Sequence, residues 1–225
     1  MNYKKQDKPD RSAIDKEPKM KISNLIKKPL NNPIVYSLVM KIIGSGNNKT
    51  VFVNEYVRPS KGDKILDFGC GPANILDFMP QDVEYTGVDF NEKYIESARQ
   101  KYGSRGKFIV ADVSEGNENP FAGQFDVVLA HGLIHHLSDT DANLLIRTAY
   151  ECLNENGRLI TLDNVYDKKL NPINKIALKL DRGEYIRTKP NYLSLFSDFS
   201  DIQCNIIKAK SRIPYYYIIC QVTKR

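Results

Sequence analysis

From Lys64 onward, short β-rich apolar runs alternate with stretches of helical period, and this alternation limits the chain more than any other feature. Strands joined through helices must lie parallel, so the pattern specifies a doubly wound sheet with helices on both faces. The expected strands cover 64–68, 84–89, 107–110, 125–130, 158–163, 202–207 and 216–223, and the expected helices cover 73–78, 92–102, 141–153 and 190–196. The last two strands have no crossover helix between them. They are expected to close the sheet as an antiparallel hairpin at its edge, with Pro214 in the connecting loop.

Ahead of the sheet, Ile34, Leu38 and Ile42 with Val35, Val39 and Ile43 form a helical stripe closed by Gly44. A second helix is expected over 49–57, ending before Pro59. Residues 1–20 read as a disordered basic leader and 21–225 as one domain. Within that domain, 21–60 form a helical cap, 61–165 a ligand-binding core, 166–200 an insert, and 201–225 the terminal hairpin. A chain with 41% hydrophobic residues can bury one substantial core.

The first strand runs straight into Gly69-Cys70-Gly71, a turn whose glycines permit positive φ and a close backbone approach to a ligand. About twenty residues on, the second strand ends in Asp89, where doubly wound nucleotide folds place the acid that accepts from ribose hydroxyls. Asn74 stands where a dinucleotide fingerprint needs its third glycine, which disfavours a nicotinamide enzyme. Asp89 also has a purely structural reading, as a cap for the helix beginning near Asn91.

Five of the six net positive charges fall in residues 1–28, which hold nine Lys/Arg against four Asp/Glu. The nearly neutral body argues against a nucleic-acid surface. Cys70, Cys152, Cys204 and Cys220 form no C-x-x-C pair, so neither a metal site nor a disulfide framework is expected, and a reducing cytoplasm fits best. No apolar run reaches the ~18 residues of a membrane span.

Taken together, Leu66-Asp67-Phe68-Gly69-Cys70-Gly71-Pro72, Gly87-Val88-Asp89-Phe90, Ala111-Asp112-Val113, and Phe125-Asp126-Val127-Val128 followed by Leu133-Ile134-His135-His136-Leu137 resemble the class I S-adenosylmethionine-dependent methyltransferases. The resemblance runs from about Tyr36 to Thr223. It implies a seven-stranded α/β sheet with an antiparallel last strand and S-adenosylmethionine as cofactor, without a metal. By the same resemblance, Asp67 meets the cofactor's amino group, and Gly69, Cys70 and Gly71 pass beside its methionine part. Asp89 takes the ribose hydroxyls, Phe90 packs on adenine, Asp112 and Val113 meet its edge, and the His131 backbone contacts the methionine moiety. The competing reading makes Asp112 a turn residue opening the loop at 114–119, and Cys70 reads as a small filler in its turn.

All three histidines, His131, His135 and His136, follow the fourth strand, where the cleft of an α/β sheet opens. An alcohol acceptor needs a base, and His135 or His136 is the candidate; neighbouring positions should point apart, leaving only one to face the acceptor. In the insert, Arg182 and Arg187 flank Tyr185. With Tyr36 they would bind a small, anionic acceptor, unless the arginines are spent on Asp181, Glu184 or Asp163. The expected activity is O- or N-methylation of a metabolite, sugar or natural-product intermediate. An RNA or protein methyltransferase and a non-catalytic cofactor-binding module are the alternatives.

Overall fold

The computed structural model describes residues 46–112, 119–168, 183–209 and 216–225, with positions 170, 172 and 178. The leader, the helical stripe at 34–43, Tyr36, Val113, Arg182 and the hairpin loop with Pro214 lie outside the described residues. Strands β1 (Lys64–Phe68), β2 (Glu84–Asp89), β3 (Gly106–Val110), β4 (Phe125–His131), β5 (Leu153–Tyr166), β7 (Ile202–Lys208) and β8 (Tyr216–Thr223) form one sheet in the order β3-β2-β1-β4-β5-β8-β7. A two-residue strand, β6 (Arg187–Thr188), pairs with the end of β5. The first five strands are mutually parallel, and β8 runs antiparallel to both β5 and β7. The fold is therefore α/β, doubly wound and mostly parallel, as the alternation of runs specifies.

The pleat explains why the central strands read as unbroken apolar runs. Ile65 and Leu129 face one layer with Phe52, Leu76 and Ile95, while Leu66 and Val128 face the other with Ile134, Ile146 and Phe196. Both faces are covered, so alternation disappears from the sequence. Helix α1 (Gly46–Val51) continues as a π-helical stretch at Phe52–Val57, and Arg158 of β5 donates to the Val57 and Arg58 carbonyls, tying that stretch to the sheet. Asn91 caps α2 (Glu92–Tyr102) through Lys93 N–H, and Ser138 caps α3 (Asp139–Cys152) through Asp141 N–H, with two acids in its first turn. α4 (Lys189–Leu195) starts with Pro190 in its first turn.

The hairpin closes the sheet at its edge as expected: β8, with Ile218, Ile219, Cys220 and Val222 buried, pairs with β5, and the more exposed β7 is the edge strand. Two other expectations are revised. The helix expected at 73–78 is a single 3₁₀ turn (Asn74–Phe78), because Ala73 adopts a left-handed conformation (φ 54°) and Pro80 follows closely. The chain also carries a disulfide. Cys204 and Cys220 face each other across the β7–β8 register and are bonded, a pairing set by register that sequence spacing does not reveal.

Gly87 of β2 shows how tightly the glycine turn is seated. A Cβ there would stand 2.8 Å from the Cys70 sulfur and 3.1 Å from the Tyr85 ring. Gly87→Val should therefore lower stability by about 1–3 kcal/mol through overpacking, read as a lower urea midpoint at unchanged slope.

Candidate cofactor and acceptor site

The order of strands reverses between β1 and β4, and the crevice outside their carboxyl ends gathers the expected residues. Gly69 (φ 68°) and Gly71 (φ 56°) both occupy the left-handed region, and the N–H groups of Gly69 and Cys70 donate to the Val88 carbonyl at 2.8 and 3.1 Å. A Cβ on Gly69 would press against the Leu133 side chain at 3.0 Å, whereas one on Gly71 would meet nothing within 4 Å. The turn thus presents bare backbone to the crevice.

Asp89 fixes that turn from the next strand. One carboxylate oxygen accepts from Gly71 N–H at 2.9 Å and the other from Asn91 N–H at 2.8 Å, so the side chain bridges the glycine turn and the start of α2. The helix cap itself is Asn91. Burial raises the Asp89 pKa, and the Asn91 and Gly71 N–H bonds oppose the rise.

Asp67, at the end of β1, is only 2% exposed. Its Oδ2 accepts from the Tyr85 hydroxyl at 2.6 Å, and its Oδ1 is buried with no partner among the described residues. Burial pushes its pKa up to about 7; the Tyr85 bond opposes this, nearby Asp89 adds to it and Lys49 opposes it. A buried carboxylate with an unspent oxygen fits a ligand that brings a positive charge. Cys70 packs against Gly87, and burial holds its thiol well above the usual range. Phe90 and Asp112 are half-buried at the ends of β2 and β3.

His131 ends β4 with its ring 5.2 Å from that of Phe52; burial, reinforced by Lys49, pushes its pKa down to about 3, and its imidazole is neutral. His135, 5% exposed, lies on a 3₁₀ turn (Ile134–His136), and both its Nδ1 (2.7 Å) and its backbone N–H (3.1 Å) meet Asp163 Oδ1 in the carboxyl-terminal part of β5. Asp163 is fully buried. That burial raises its pKa against the hydrogen bonds and charge of His135. His136 does not point apart from its neighbour: the two rings stack with centroids 4.1 Å apart, because a tight turn lets successive side chains lean together. The insert closes over the pair, with Tyr185 N–H bonded to the His135 carbonyl at 3.0 Å. Gly183 is so close that any Cβ would overlap the His135 ring.

Arg187 does not serve as an anion fork. Its Nε and Nη2 hold Asp139 at 2.8 and 2.7 Å, and Nη1 donates to the Ile134 and Tyr185 carbonyls. Nη2 also donates to the Leu137 carbonyl at 2.7 Å. All five donors are spent clamping the turn that carries His135, and the side chain lies over the Tyr185 and Tyr192 rings. Arg187→Ala should strand three carbonyls and cost about 3 kcal/mol, read as a Tm lower by about 6–12 °C.

Sequence reasoning passed over Tyr85 and Lys49 and cast Asp163 only as a partner for the arginines. Tyr85 holds Asp67, Asp163 holds His135, and Lys49 reaches the site electrostatically from α1. Of these, Asp163 carried a usable signal, an acid at the carboxyl end of an inner strand. Among the described residues no cluster of three or more His, Cys, Asp or Glu could hold a metal, and no helix is long and apolar enough to cross a membrane.

Residues 66–159 match the family model described as a methyltransferase domain. With this fold and this crevice, the match supports a class I S-adenosylmethionine-dependent methyltransferase. It is similar to the carboxy-S-adenosyl-L-methionine synthase of Campylobacter concisus, with 34% identity over 49% of each chain. It is also similar to a ubiquinone biosynthesis O-methyltransferase of Azorhizobium caulinodans, with 30% identity over 58% of this chain and 49% of that one. The chain spans about half the length of these curated relatives. Among solved structures, the magnesium protoporphyrin IX methyltransferase of Synechocystis PCC 6803 with bound S-adenosylhomocysteine shares the fold, with a TM-score of 0.61 and 21% identity over 83% of this chain and 87% of that one.

Proposed function

We propose that this chain transfers the methyl group of S-adenosylmethionine to an oxygen or nitrogen of a small molecule: a metabolite, a sugar or a natural-product intermediate. The observation that carries the reading is the buried Asp67 Oδ1, without a partner among the described residues, beside the left-handed backbone of Gly69 and Gly71. The bound cofactor supplies an activated methyl group. In this reading Asp67 takes the α-ammonium, and Asp89 accepts the ribose hydroxyls on the lone pairs left by Gly71 and Asn91. Phe90 covers adenine, Asp112 and Val113 meet its edge, and the His131 main chain borders the methionine part. The O-methyltransferase among the relatives supports an oxygen acceptor.

For a hydroxyl acceptor, His135 is the base we favour over His136, because a carboxylate orients its ring. Asp163 accepts from Nδ1, which leaves the basic lone pair on Nε2 to receive the acceptor's proton. Tyr185 forms a wall beside it, and Tyr36 is a candidate for another. With Arg187 spent, Arg182 is the remaining candidate for holding an anionic acceptor. A near-neutral body supports a small molecule over nucleic acid. We place the chain in the cytoplasm, where the Cys204–Cys220 bond would face a reducing thiol pool. Incubation with methyl-labelled S-adenosylmethionine and a metabolite extract should yield a product heavier by one CH₂. Absence of labelled product across polar and lipid extracts would contradict the reading.

Asp67 also gives the site a pH signature. Its folded pKa of about 7 stands above the ordinary 3.8, so between these values the folded, ligand-free protein holds a proton that the unfolded chain has lost. The contribution of Asp67 to stability is therefore fullest below about pH 4 and declines as pH rises to about 7. An ammonium ligand binds the ionised form. S-Adenosylhomocysteine affinity should thus rise up to about tenfold per pH unit from about pH 5.5 to 7 and then level off. Asp67→Asn should flatten that profile in calorimetry.

A further inference from the structure

Cys204 and Cys220 stand directly opposite each other on β7 and β8, their Cα atoms 4.2 Å apart and their sulfurs bonded. β8 is hydrogen-bonded on both sides, to β5 and to β7, whereas β7 is the edge strand and is held by β8 alone among the described residues. Of the seven side chains of β7 only Cys204 is buried, and Gln203 and Asn205 on either side of it are exposed. The bond therefore anchors an otherwise lightly packed strand, and fraying of the open edge brings it to solvent. What the anchor supports is the acceptor side of the crevice. Both cysteines share one buried cluster with Tyr192, Leu195 and Phe196, and α4 packs on β7. Tyr192 donates its hydroxyl to the Asn164 carbonyl at 2.9 Å, and the Arg187 guanidinium lies 5.9 Å from its ring. Arg187 in turn bonds the Ile134 and Leu137 carbonyls, on either side of His135. A packed path thus runs from the disulfide through α4 to the His135 turn, while the glycine turn and Asp89 sit on the other half of the sheet, at β1 and β2.

We propose that Cys204–Cys220 is a reversible thiol–disulfide exchange site that sets how firmly β7 and α4 hold the acceptor side of the crevice, leaving the cofactor side unchanged. The inference rests on the acceptor reading above. Its reductant is a small thiol of the glutathione class. The thiolate attacks the Cys204 sulfur, the sulfur–sulfur bond breaks, and Cys220 leaves as a thiolate that takes up a proton. A second thiol then attacks the small-molecule sulfur of the mixed disulfide and releases Cys204. Two thiols are thereby oxidised to one disulfide, and the protein gains two electrons and two protons. Reduction removes a cross-link between positions sixteen residues apart, and β7 then depends on its one ladder of hydrogen bonds.

The test needs no acceptor. The folded full chain is held in buffers running from oxidised to reduced glutathione, free thiols are trapped by alkylation and mapped by mass spectrometry, and hydrogen exchange is followed in the same samples. Mapping separates the pair from the free thiols of Cys70 and Cys152. Cys204 and Cys220 should become alkylated together and reversibly while the circular dichroism stays native. Amides of β7 and α4 should exchange about tenfold faster in the reduced form, with those of β1 and β2 unchanged, and S-adenosylhomocysteine affinity should stay within about twofold. Cys204→Ser should show the reduced exchange rates in every buffer, and the wild-type comparison decides the matter if that variant fails to fold. A bond that survives reduced glutathione until the chain is denatured, a bond that never forms in oxidised glutathione, or an α4 that exchanges equally in both forms would each overturn the proposal. So would a larger change in S-adenosylhomocysteine affinity on reduction. If S-adenosylhomocysteine binds neither form, the cofactor reading falls, while thiol trapping and exchange rates still read the switch on their own.

Discussion

His135→Gln should lower the turnover number for a hydroxyl acceptor by about 10²–10⁴-fold while leaving S-adenosylhomocysteine affinity within about twofold. Glutamine keeps a polar side chain of similar reach against Asp163 but cannot accept and carry away the acceptor's proton. Asp163→Asn should fall in the same direction, because an amide nitrogen facing Nδ1 would favour the tautomer with its proton on Nε2. The two losses should not multiply, since the pair acts as a unit joined at 2.7 Å. Single-turnover kinetics with the acceptor found by the labelling assay measures this directly. Unchanged turnover in His135→Gln would assign proton removal elsewhere, with the stacked His136 ring as the next candidate.

Asp89→Ala should weaken S-adenosylhomocysteine by about 10²–10³-fold, a larger binding loss than any other single change in the crevice. Two effects combine. The ribose hydroxyls lose a charged acceptor, each such bond being worth about 1.5–3 kcal/mol, and the N–H groups of Gly71 and Asn91 lose the oxygens that hold the turn in shape. The nucleoside 5′-methylthioadenosine, which has the ribose but no amino-acid end, should weaken in proportion. That parallel loss ties the role of Asp89 to the ribose and not to the amino-acid end. If Asp89→Ala binds both ligands as the wild type does, the carboxylate has a structural function only.

The residues that could be read from the sequence share a physical reason. The inner strands are buried on both faces, so Ile65-Leu66 and Val127-Val128-Leu129 stand out as continuous apolar runs. Gly69, Gly71 and Asp89 occupy a single β-turn-β unit whose spacing is local. Contacts set by the three-dimensional path of the chain were not legible. Arg187 looked available because its partners, the Ile134 and Leu137 carbonyls and Asp139, lie some fifty residues earlier and meet it only when the insert folds back over the end of β4. Cys204 and Cys220 are sixteen residues apart with nothing in that spacing to mark them, and only the β7–β8 register brings them face to face. The stacking of His135 on His136 depends on a 3₁₀ turn, which apolar periodicity does not report. Asp163 belongs to an intermediate case: its place at a strand end was visible, its pairing with His135 was not.

The central claim is that the glycine turn with Asp67 and Asp89 is built for an adenosyl amino acid. Titrating S-adenosylhomocysteine and NAD separately into the intact chain at pH 7.5 or above, about where Asp67 is ionised, tests it most directly. Saturable heat with S-adenosylhomocysteine at about micromolar affinity, and none with NAD, is the predicted result. No heat with S-adenosylhomocysteine, or tighter binding of NAD, would contradict it.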